Sequence, residues 1–203
     1  MSSPAEAAHL ATLRPSRIRD VQAGALAWAT LDLLDIGDGH GPALRGALEA
    51  FGVQVNYLPI GQQRHVIAAL GSDRPIAPYV VIAAHGDDGR ILMDELDESV
   101  GRHQPFAGHL GPDEIRAHLR LRGATVILTA CDGGAPELAQ AFLDAGAAAL
   151  VADTNAPFGY TSLFVPIFLM YELTQQRTLD EAVEKLRAHD DELSTWRLFR
   201  RTS

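Results

Sequence analysis

Apolar residues in this chain fall into short runs separated by polar, glycine-bearing segments, with helix-like spacing between the runs. Three runs are nearly continuous: Tyr79–Ala84, Thr125–Ala130 and Ala147–Ala152. Runs of this length without alternation suit strands covered on both faces of a parallel sheet. An earlier run, Ala25–Ile36, stops at Gly37-Asp38-Gly39-His40-Gly41, and its second half reads as a strand. Val53–Ile60 alternates in the manner of another. Helices are expected over Pro42–Phe51, Gln62–Leu70, Pro112–Leu121 and Pro136–Ala145, the last stopped by Gly146. Residues 87–112 are rich in Gly, Asp and His and predict a hairpin around Ile91-Leu92-Met93. Two closing helices are expected, Leu163–Leu173 and Leu179–Trp196. In the second, Leu179, Ala182, Leu186, His189, Leu193 and Trp196 are spaced three and four apart.

Strands alternating with helices at short intervals predict an α/β fold, a three-layer α/β/α sandwich around a mostly parallel central sheet. No repeat or linker divides the chain. Residues 1–24 read as an N-terminal tail or peripheral helix and residues 25–203 as one domain. A net charge of −9 and a pI near 5.3 argue against nucleic acid and anionic membrane as main partners. No apolar run reaches the roughly 18–20 residues of a membrane span, and the first residues lack signal-peptide features, so a cytoplasmic location is expected. Sixteen Arg against one Lys, with abundant Ala, suggests a GC-rich, bacterial genome.

The chemistry that the pattern exposes lies where two central runs end. Tyr79–Ala84 is followed by His85-Gly86, and Thr125–Ala130 by Cys131-Asp132-Gly133-Gly134. Strand carboxyl ends are where α/β proteins assemble sites. A thiol beside an imidazole there makes an activated nucleophile. The N–H of Gly86 and that of Cys131 could stabilise an oxyanion. The lone cysteine is explained as readily by a small buried hydrophobe at a strand end, and it excludes a disulfide framework or a Cys-x-x-Cys site. His103, His109 and His118, with Asp87 and Asp88, are irregularly spaced in polar segments and read as surface rather than metal ligands. The segment 37–41 matches no phosphate-binding pattern.

The order Ala84-His85-Gly86, then Thr129-Ala130-Cys131-Asp132-Gly133, resembles the caspase-like clan of cysteine peptidases, and most closely bacterial CHAT and gingipain-type domains. His and Cys stand 46 residues apart, near the roughly 50 of caspases. The resemblance spans about residues 25–190 and extends to the helix, strand and two helices expected after the cysteine. It implies a cysteine endopeptidase acting on a protein or peptide substrate, with His85 as general base and acid and Cys131 as nucleophile. Gly86 and Cys131 N–H would form the oxyanion hole. No cofactor and no metal are implied.

The resemblance also places the pocket for the residue before the scissile bond. It would be lined from the end of the first strand (Asp35 to Asp38), from Thr129, and from the segment after the next strand (Asp153 to Asn155), with Asp132 beside the nucleophile. An acidic pocket built from Asp35 or Asp153 would favour Arg or Lys, whereas Thr129 stands where clan members that prefer basic residues carry Asp. CHAT domains usually have Ser-Ala-Cys and then an acidic residue with Thr-Gly, and this chain departs from both. A separate regulatory or sensor protein is the expected partner. Two other readings keep their place: a catalytically inactive caspase-like interaction module, and a flavodoxin-like binding protein with a structural Cys131.

Overall fold

The computed structural model describes residues 30–50, 52–156 and 159–201. The expected tail at 1–24 lies outside the described residues.

Five parallel strands are laid down in sequence and a sixth closes the sheet in the opposite direction. β1 (Thr30–Ile36) leads through α1 (Gly41–Ala50) to β2 (Gln54–Pro59), and α2 (Gln63–Leu70) crosses back to β3 (Tyr79–Ala84). A two-stranded hairpin follows, β4 (Gly86–Asp87) with β5 (Arg90–Ile91), then the short α3 (Glu98–Gly101) and α4 (Pro112–His118). β6 (Thr125–Leu128), α5 (Pro136–Asp144), β7 (Ala149–Asp153), α6 (Gly159–Thr174), α7 (Leu179–Arg187) and β8 (Trp196–Arg200) complete the order. The sheet order is β2-β1-β3-β6-β7-β8, and only β8 is antiparallel to its neighbour.

Parity along the strands divides the core. Leu34, Ile82, Val126 and Leu150 face one way, against Val66 and Leu70 of α2, Ile115 of α4 and Phe142 of α5. Leu33, Val81, Ile127 and Val151 face the other, against Leu48 of α1, Leu169 of α6 and Leu186 of α7. The sheet thus lies between two helical layers, as the unbroken apolar runs require. Among the described residues no helix is long and apolar enough to cross a membrane.

Asp32 and Glu172 are carboxylates buried within these layers and paired with cations. Asp32, fully buried in β1, receives both guanidinium arms of Arg74 at 2.9 Å, Asn56 Nδ2 at 2.8 Å and the Ala77 N–H at 3.2 Å. Burial raises its pKa, but the hydrogen bonds from Arg74, Asn56 and Ala77 outweigh that and hold it below the usual carboxylate value. Glu172, buried in α6, accepts from Lys185 Nζ at 2.6 Å and from Arg177, tying α6 to α7.

The C-terminal segment departs from expectation. The helix over Leu179–Trp196 is half that length, ending at Arg187 with Ala188 as its cap. His189, Leu193 and Trp196 are not on it: a 3₁₀ turn at Leu193–Thr195 leads into β8. Asp190 and Asp191 explain the break, because acidic residues oppose the negative end of the helix dipole. Asp190 instead accepts the Leu193 N–H at 2.8 Å. The hairpin, too, turns earlier than expected. Asp88 (φ 48°) and Gly89 (φ 65°) form a two-residue turn with both φ positive, the type I′ geometry that Asp-Gly favours.

Candidate active site

The chain steps from β1 out to β2 and then back across β1 to β3, so the order reverses between β1 and β3. Loops leaving the carboxyl ends of two such strands diverge and open a crevice. A cavity of about 230 Å³ lies there, lined by Asp38 and His40 after β1, Ala84 and His85 at the end of β3, Thr129 and Cys131 after β6, and Gly159 and Ser162 of α6. His85 and Cys131 therefore share one cavity.

The cysteine turn is held on every side. Asp132 adopts φ 53°, a left-handed conformation that Asp tolerates. Its N–H donates to the Asn155 carbonyl at 2.8 Å, and the Gly134 N–H donates to the Asp153 carbonyl at 2.6 Å. A side chain at Gly134 would press on that same Asp153 carbonyl, at 2.8 Å. At Gly86 the restriction is tighter, since a Cβ there would collide with the Cys131 carbonyl oxygen and stand 2.9 Å from the Ala130 Cβ. Gly86 is what lets the β3 loop lie directly on the Cys131 peptide.

Cys131 is half-buried. Burial pushes its thiol pKa up, and the charges of Asp132 and Asp153 push in the same direction. The backbone N–H groups of Cys131 and Gly86 oppose them and favour the anion. His85 is exposed, and among the described residues no hydrogen bond holds its imidazole, although its carbonyl accepts from the Leu92 N–H at 3.0 Å.

Thr129 does more than line the wall. Its hydroxyl donates to the Ile82 carbonyl at 3.3 Å and accepts from the Ala84 N–H at 3.4 Å, while its own N–H donates to Ile82 O at 3.1 Å. The regular β3–β6 pairing ends at Ile82 and Leu128. The hydroxyl carries the strand-to-strand connection one step further, just where His85 and Cys131 leave the sheet.

The other expected binding residues are dispersed. Asp35 lies beneath the start of α1, where a side chain at Gly41 would collide with it, and accepts from the Tyr57 hydroxyl at 2.5 Å. That bond, with burial, pushes the Tyr57 pKa up to about 12. Asp153 is buried, with Oδ1 accepting the Asn155 N–H at 2.9 Å and Oδ2 unpartnered. Neither carboxylate lines the cavity; Asp153 and Asn155 brace the cysteine turn from behind. Asp132 faces a second, wider groove of about 600 Å³ beside Asp88, Arg90 and Glu137. Of the expected binding residues, only Asp38 and Thr129 reach the cavity.

Two members were missed in the sequence. His40 and Ser162 stand 122 positions apart, and their rings of contact meet only in the fold: His40 Nδ1 lies 3.0 Å from Ser162 Oγ. The cue for His40 was its place in the glycine-flanked loop after the first strand; nothing in the sequence marks Ser162. Among the described residues no cluster of three or more His, Cys, Asp or Glu side chains is arranged to hold a metal ion. No family model and no curated protein matches the chain.

Proposed function

We propose that the chain is a cysteine endopeptidase of caspase-like type, with Cys131 as nucleophile and His85 as general base and acid. The observation that carries this reading is that His85 and Cys131, delivered by the ends of β3 and β6, line one cavity, with Gly86 packed directly on the Cys131 peptide. Attack of the thiolate on a peptide carbonyl would place the developing oxyanion beside the N–H groups of Gly86 and Cys131. His85 would take the thiol proton and deliver it to the departing amine, leaving an acyl-enzyme for water to hydrolyse. The six-stranded, mostly parallel sheet flanked by helices agrees with the fold expected of that clan.

A second reading, an inactive caspase-like module that binds a regulatory or sensor protein, is favoured by one observation. Burial and two carboxylates push the thiol pKa up, and among the described residues no hydrogen bond orients the His85 imidazole. One experiment separates the two. Peptidyl acyloxymethyl ketones bearing Arg, Lys, Asp or Asn at the position before the warhead are incubated with the chain, with Cys131→Ala and with His85→Ala. Labelling that needs both Cys131 and His85 supports the peptidase. Absence of labelling with all four supports the module.

A further inference from the structure

We propose that the groove between α7 and β8 is an oxyanion site in which Arg187 and Arg197 clamp a phosphate dianion. It shares no lining residue with the Cys131 cavity and does not depend on the peptidase reading. Two like charges held on one neutral acceptor point to it. The Ser194 carbonyl, in the 3₁₀ turn between α7 and β8, accepts from Arg187 Nε at 3.4 Å and also from Arg197 Nη1. Arg197 Nη1 donates to the Trp196 carbonyl as well, at 2.9 Å. None of these acceptors carries a charge, and among the described residues neither guanidinium has a carboxylate in ion-pair contact.

Two cations gathered on a single carbonyl repel each other, and an anion bridging them removes that cost. Both side chains keep donors in reserve. Arg187 engages only Nε and Arg197 only Nη1, so both Nη nitrogens of the first and Nε and Nη2 of the second remain to donate. Forked N–H pairs of this kind match the spacing of phosphate oxygens. The pair carries two positive charges, which one phosphate dianion balances and one carboxylate does not.

The rest of the groove suits a small anion. Arg200 adds a third guanidinium, engaged by Asp180 at 2.6 Å, and Glu184 is the only other charged group in the lining. Positive charge is thus in local excess, on a chain whose net charge of −9 repels anions elsewhere. About 270 Å³, with Val183 and Leu198 as its apolar part, falls short of the roughly 300 Å³ at which whole small-molecule sites begin. A phosphate group fits that space, either as the free ion or as a phosphoryl group carried on a side chain of a partner.

Calorimetric titration of the full chain with inorganic phosphate tests the site, at about pH 8, above the phosphate pKa of about 6, with ionic strength held by chloride. Saturable binding is expected, together with a rise in melting temperature that chloride does not reproduce. Arg187→Gln and Arg197→Gln are each expected to weaken binding about tenfold. Arg45→Gln, which removes an arginine paired with Glu49 on α1, should leave it unchanged. Melting temperatures matching the parent's without phosphate show that the variants are folded. Absence of saturable binding, an unchanged affinity in folded Arg187→Gln, or an equal loss in Arg45→Gln overturns the proposal. A phosphoserine peptide and its unphosphorylated form then identify the source. Tighter binding of the phosphopeptide than of inorganic phosphate supports a phosphoryl group on a partner, and weaker binding supports the free ion. Equal binding of the two peptides overturns the site.

Discussion

Cys131 sits where two opposing influences meet: burial and carboxylates that keep it protonated, and peptide donors that favour its anion. The net shift is upward, so the free chain's thiol should react with iodoacetamide more slowly at pH 7 than a small thiol does. Its rate should still be climbing with pH above the roughly 8.5 of an unperturbed cysteine. A pH profile of alkylation checks this. His85→Ala should lower kcat by about 10²–10⁴-fold if the imidazole transfers the protons, and the rate of peptide hydrolysis measures it. Thr129 offers a finer probe because its hydroxyl bonds to the end of β3 rather than to a substrate. Thr129→Val keeps the shape but strands the Ala84 N–H, and should cost about 1–3 kcal/mol of stability. It should also reduce kcat more than it raises KM, whereas Thr129→Ser restores both. Loss of stability with kinetics unchanged would show that the hydroxyl serves the sheet alone.

At the scale of elements, the strand ends matter more than the strands. β3 and β6 were legible as continuous apolar runs, and the residues that follow them, His85 and Cys131, were legible as chemistry. The occupants of the cavity wall were only partly so. Asp35 and Asp38 both belong to the end of β1, and only coordinates show that Asp35 is taken by Tyr57 while Asp38 turns inward. Ser162 comes from a helix whose pattern carries no polar stripe. The C-terminal helix was overread for a related reason: three-and-four spacing continued by chance through His189, Leu193 and Trp196, while Trp196 is buried as the first residue of an edge strand. Gly86 belongs to this scale too, as the contact between the β3 loop and the cysteine turn. Gly86→Ala must displace the Cys131 carbonyl, so it should abolish ketone labelling and lower the melting temperature; wild-type labelling would show that the loop yields.

For the whole molecule, the reversal of strand order between β1 and β3 decides where a site can be, and the sequence could not supply that order. Alternation of strands and helices implied a parallel sheet, but pairing partners are set by long-range packing. The Asp32–Arg74 pair fastens this same region by anchoring the loop before β3 to the middle of β1. Asp32 holds its proton less tightly folded than unfolded. Its contribution is therefore present above the unfolded value near 3.8 and lost as pH falls through the lower folded one. Arg74→Ala leaves a buried carboxylate without its cation and should cost about 3–5 kcal/mol. Denaturant unfolding at pH 7 and again near pH 3 checks this, with a smaller difference between variant and parent expected at the lower pH.

The ion pair that joins α6 to α7 has a consequence for labelling chemistry. Lys185 is the only lysine in the chain, so it carries the only side-chain amine that an active ester can acylate. Its ammonium is held by Glu172 at 2.6 Å, and acylation must first release it. Mass spectrometry after brief treatment with an N-hydroxysuccinimide ester would therefore report, at one position, how often the Lys185–Glu172 contact between the two helices opens.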